Sequence, residues 1–178
     1  MGINSNIDAL IRHMNWADSK LWQSVFKTEL CGFDEKTKEL LYHIHVVQDV
    51  YYQMWSGKPI VVPDLLEFHE LFNIAQWGKE NNNKISNLVK IMDEVELGMI
   101  LTNPWREKIE KALGQQPSDS TVEESIIQVA SHTTYHRAQV NSRIRELKGE
   151  PAKIDFITWV WLGKPESEWE KISVLSSI

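Results

Sequence analysis

Six histidines are the side chains of this 178-residue sequence best suited to holding a metal ion: His13, His43, His45, His69, His132 and His136. Two of them lie four apart in the stretch QVASHTTYHRAQV at 128–140. On a helix, positions i and i+4 project from one face a turn apart, so both imidazoles can reach one divalent ion. A pair does not complete such a site. Catalytic zinc-type sites take three protein ligands and keep a position open for water or substrate. The stretch LYHIHVVQ supplies candidates for the third ligand, His43 and His45. These project about 200° apart on a helix, so only one can join the pair. His43 shares a stripe with Val47, Val50 and Met54, and His45 aligns with Leu41, Gln48, Tyr52 and Trp55. Periodicity leaves both open. His13 and His69 have no comparable partners and read as structural or surface residues.

Other chemistry is thinner. Tyr135 and Gln139 flank the pair, and Tyr135, about 100° from His136 around the helix, reads as an interhelical packing residue. Arg137 reads as one half of a salt bridge to Asp or Glu across the fold, the usual state of a buried arginine. Asp49 is either an acceptor that orients an imidazole or a surface charge. No carboxylate or tyrosine is placed as a general base, so no catalytic residue is named. Glu-x-x-His is absent, which excludes the di-iron carboxylate pattern, and His-Glu-x-x-His is absent too. The glycines form no phosphate-binding loop. Cys31, beside Gly32, reads as a small residue in a turn.

These side chains need elements to position them, and the prolines show where helices can lie. Four proline-free windows carry helical periodicity: about 5–29, 35–56, 64–96 and 120–147. Gly57-Lys58-Pro59 stops the second, and Gly149-Glu150-Pro151 closes the fourth. Asp64 with Glu67, and Ser120 with Glu123, have the spacing of capping boxes. The asparagine run 81–83 suggests a distortion in the third helix, and ELGMIL at 96–101 a brief extended segment. In the fourth helix Val129, His132, His136, Val140 and Leu147 form the expected inward stripe. A short apolar helix near 154–162 completes an all-α reading: one domain, an antiparallel four-helix bundle with a short C-terminal helix.

Composition narrows the function. Nineteen basic against 25 acidic residues give a net charge of −6, and no basic stripe marks a nucleic-acid partner. No apolar run approaches the length of a membrane span, and the start has none of the features of a signal peptide. A single cysteine suits a reducing, cytoplasmic setting. Eight tryptophans read as packing residues.

Four stretches of the chain resemble the DinB family, the DinB/YfiT-like metalloenzymes. They are NWADSKLWQSV (15–25), LLYHIHVVQDVYYQMWSGKP (40–59), SHTTYHRAQVNSRIRELKGEP (131–151) and IDFITWVW (154–161). The third carries His-x-x-x-His-Arg-x-Gln and its Gly-x-Pro exit, the most specific of the four, with Ala138 where the family often has glycine. The resemblance implies a four-helix bundle binding one divalent ion, Zn, Ni, Fe or Mn, through three histidines. His132 and His136 supply two. The family's second-helix histidine lies about fourteen residues before the closing glycine, which from Gly57 selects His43 over His45. The activity implied is metal-dependent, a thiol S-transferase or a hydrolase acting on a small thiol or another small molecule. The competing expectation is a non-catalytic homodimeric binding or stress-response module with a structural or vestigial metal, the tryptophan-rich tail at 159–169 forming its interface.

Overall fold

A computed structural model describes residues 5–175. Among these, eight α-helices and one two-stranded ribbon follow in the order α1 (Ser5–Phe26), α2 (Glu35–Trp55), α3 (Leu71–Val89), α4 (Glu94–Leu97), β1 (Ile100–Leu101), α5 (Arg106–Leu113), β2 (Ser120–Thr121), α6 (Val122–Glu146), α7 (Phe156–Trp161) and α8 (Glu170–Leu175). The all-α class expected from the sequence holds. The ribbon is antiparallel, Ile100 opposite Thr121 and Leu101 opposite Ser120.

Local chemistry sets the helix ends. Asp34 caps α2 by accepting from the Thr37 amide, and Arg143 of α6 lies 2.6 Å from the same carboxylate. The Arg143 guanidinium, foremost, and the hydroxyl and amide of Thr37 hold that carboxyl well below the usual carboxylate range. Gly57 takes a left-handed φ of 62° just past α2, as the Gly-Lys-Pro signal requires. Thr121 and Glu124 form the capping box of α6, one residue beyond the expected pair, because β2 extends through Ser120 and Thr121.

The third helix is where expectation and structure part. The Asp64–Glu67 capping box exists, but it caps a single 3-10 turn at Leu65–Glu67. Phe68 and Glu70 are extended, and α3 starts only at Leu71. The asparagine run does not distort it: Asn81 and Asn82 are fully buried inside a continuous helix. They point inward because polar partners await them there.

Two large apolar clusters and a small one of Trp16, Ala17 and Trp159 form the core, and the order of the two large ones along each helix gives its direction. On α1, Ile7, Ile11 and Met14 belong to one cluster and Leu21, Trp22 and Val25 to the other. On α6 the same order recurs, Val122, Ile126 and Val129 preceding Val140 and Ile144. On α3 the order is reversed, from Leu71, Ile74 and Ala75 to Ile85 and Val89. It is reversed on α2 as well, where Leu41 and Ile44 precede Tyr51, Tyr52 and Trp55. Thus α1 and α6 run one way, α2 and α3 the other. The segment 56–70 is long enough to run back along α2: Gln53 bonds to the backbone of Val61, and the Tyr42 hydroxyl donates to the Pro63 carbonyl. Tyr42 then meets Trp77, and His45 meets Gly78, so α2 and α3 advance together.

The tail folds against α1. Trp159 and Trp169 are buried, donating to the Pro165 carbonyl and Asn15 Oδ1 respectively, and of the three tail tryptophans only Trp161 is exposed. The chain's own core therefore uses two of the side chains expected at an interface. No helix among the described residues is long and apolar enough to cross a membrane.

Candidate metal centre

Where α2 and α6 pack, three contacts fix their relative placement. Asp34 pairs with Arg143 at one end, Trp55 donates to Ser125 Oγ at the other, and His43 meets His132 between them. His43 Nε2 and His132 Nε2 lie 3.2 Å apart. The His136 ring is edge-on to both, its centroid 4.4 Å from each. Ligand atoms of all three imidazoles lie within 4.8 Å of one another, and no other cluster of His, Cys, Asp or Glu among the described residues could hold an ion in this way. Two nitrogens at ordinary zinc distances in a tetrahedral site are separated by about 3.3 Å. The His43–His132 spacing matches that.

The protonation states favour ligation. Gln139 Oε1 lies 2.7 Å from His136 Nδ1. An amide oxygen only accepts, so Nδ1 carries the proton and Nε2 offers its lone pair. Gln139 is three residues after His136 on the same helix face, the usual arrangement of an outer partner that fixes a ligand's tautomer. Partial burial keeps His43 and His132 below the ordinary imidazole range, with the neighbouring rings adding to the effect. Neutral imidazole is the form that binds metal. All three rings remain partly open to solvent, at the edge of the helix pair and not in its core. The expected inward stripe of α6 is therefore shifted: its core face is Ile126, Val129, Thr133, Arg137, Val140 and Ile144.

His45 serves another purpose. It is buried, its Nδ1–H donates to Gln48 Oε1 at 2.8 Å, and its Nε2 accepts from Trp22 Nε1 at 2.9 Å. Both ring nitrogens are satisfied inside the core, and desolvation holds the ring neutral. Of the two second-helix candidates, His43 alone reaches the pair. His13 is structural, bonded to the Ile154 carbonyl at 2.9 Å among Trp16, Phe156 and Trp159. His69 is exposed.

Arg137 forms the expected salt bridge, with Asp18 of α1 at 2.8 Å, both side chains almost wholly buried. Asp49 is neither a surface charge nor a partner of the histidines. It is buried and accepts from Gln53 at 2.9 Å, and desolvation pushes its pKa up. Tyr135 is no packing residue: it is 63% exposed, with its ring edge-on to His136 at 5.1 Å. Cys31 is fully buried in a 3-10 turn. Sequence reasoning overlooked Gln139 as an orienting partner and Asp18, Gln48 and Asn82 as a buried polar set. The i, i+3 spacing of His136 and Gln139 could have revealed the first.

No model of a known protein family matches the chain, and no curated protein matches it.

Proposed function

We propose that this chain is a divalent-metal-binding four-helix bundle of the DinB type, and that it acts as a metal-dependent enzyme on a small molecule by thiol transfer or hydrolysis. The observation that carries the reading is the convergence of His43, His132 and His136 from two helices, with 3.2 Å between the nearest nitrogens. Bound there, Zn, Ni, Fe or Mn would supply Lewis acidity, lowering the pKa of a water or a thiol. The chain contributes three imidazoles, with the His136 tautomer set by Gln139. With no carboxylate in the donor set, the site keeps the full charge of its ion, which favours an anionic ligand such as a thiolate. Closed structural zinc sites use four protein ligands. Three donors at a partly exposed site therefore support the catalytic reading over a structural metal.

The test is elemental analysis of purified wild type and His136→Ala, followed by a screen of small thiols with several electrophiles and of hydrolysable esters and amides. The expected result is about one metal per chain in wild type, lost in the variant together with any activity found. Equal metal content in the two proteins would refute the site. Metal loss with no turnover in either screen would leave a binding module.

A further inference from the structure

All four long helices meet at one buried carboxylate. Asp18 of α1 accepts from Arg137 Nη1 of α6 on Oδ1 at 2.8 Å. On Oδ2 it accepts from Gln48 Nε2 of α2 at 2.6 Å and from Asn82 Nδ2 of α3 at 3.0 Å. None of these four residues is more than 2% exposed. Together they form a polar layer between the two apolar clusters. Asp18 falls between Met14 and Leu21 on α1, Asn82 between Ala75 and Ile85 on α3, and Arg137 between Val129 and Val140 on α6. Apolar side chains of similar volume are often as stabilising as a buried ion pair, or more so. Stability alone therefore does not explain a charged layer at mid-core.

Its position does. The layer lies at the level of the histidines and bonds to both helices that carry them. Arg137 directly follows His136, and its Nη2 also donates to Thr134 Oγ1 at 2.7 Å, between the two α6 histidines. Gln48 Oε1 holds the His45 ring, two residues beyond His43. We propose that Asp18 is a positioning residue for the three-histidine site. One carboxylate oxygen fixes the rotation of α6 through Arg137, and the other fixes α2 through Gln48, so that imidazoles from separate helices converge. A one-residue rotation of α6, about 100°, would break the Arg137 bond and turn His132 and His136 away from His43. The inference rests on the reading of these histidines as a metal site.

The test measures Zn²⁺ affinity by competition with a chromophoric chelator, alongside urea unfolding and helical circular dichroism. Asp18→Asn and Gln48→Met probe the two arms of the carboxylate. Val25→Ala, a core truncation on α1 outside the layer, is the control. Both layer variants are expected to bind zinc about tenfold more weakly or worse while retaining helical signal. The control is expected to unfold at lower urea and bind zinc as wild type does. Wild-type affinity in the layer variants, or an equal loss in Val25→Ala, would overturn the proposal. If Asp18→Asn does not fold, Gln48→Met decides, because it keeps the Asp18–Arg137 ion pair while removing the tie from Asp18 to α2, together with the bond to His45 within that helix. Tight wild-type binding with unaffected variants removes the positioning role alone, whereas a wild type that binds no zinc removes the metal site and the role together.

Discussion

At the scale of single residues, the site depends on which imidazole nitrogen carries the proton. Gln139 sets this for His136 through a 2.7 Å bond, so Gln139→Ala frees the ring to rotate and change tautomer. Loss of such an outer partner typically weakens metal binding 10–100-fold. A chelator competition with zinc is expected to show a loss in that range at an unchanged urea midpoint, since Gln139 lies outside the core. Unchanged affinity would remove Gln139 from the site. The i, i+4 spacing of His132 and His136 made them legible in the sequence, because both sit on one element. The choice between His43 and His45 was not legible from periodicity. What separates them is tertiary: Trp22 of α1 captures His45, and Gln48, only three residues on, is itself held in the core by Asp18 of α1. Likewise the inward turn of Arg137 was predictable only as some ion pair. Its partner, Asp18, lies 119 residues away.

At the scale of elements, α2 and α3 pack closely because Gly78 has no side chain. A Cβ at that position would overlap the His45 imidazole, and the ring cannot yield while Trp22 and Gln48 hold it. Replacing glycine by alanine inside a helix ordinarily gains about 1 kcal/mol. Here the overlap is expected to outweigh that gain by forcing the core apart, at a typical cost of about 1–3 kcal/mol. Gly78→Ala is therefore predicted to lower the urea midpoint. A raised midpoint would show that the helices have room to separate. Helix existence was readable from proline-free periodic windows, and the ends of α1, α2 and α6 came within a few residues. The start of α3 was not readable, because a genuine capping box at Asp64 serves a single turn. The common direction of α2 and α3 was hidden too. It arises from Tyr42 and Gln53 holding the returning segment, contacts that periodicity does not encode.

For the whole molecule, two buried histidines set the response to acid. His45 and His13 have pKa values lowered by desolvation, so the folded chain takes up their protons less readily than the unfolded chain. Just below the ordinary imidazole value the unfolded state binds more protons, and stability falls as pH falls. The urea midpoint is expected to be nearly level from pH 8 to 7 and to decline below about 6.5. Asp49, its pKa raised by burial, contributes with the opposite sign. A midpoint that rises between pH 7 and 5.5 would contradict the account. Acid is expected to release metal over the same range, since the ligands must be neutral.

The lone thiol of Cys31 gives the molecule a built-in clock. It is fully enclosed, flanked by the Asp34–Arg143 ion pair that joins the start of α2 to the end of α6, and desolvation pushes its pKa up. A disulfide reagent can reach it only when that end of the fold parts, so labelling kinetics time the opening of the joint between the two metal-bearing helices. Saturating zinc is expected to slow labelling of wild type and to leave labelling of His136→Ala unchanged.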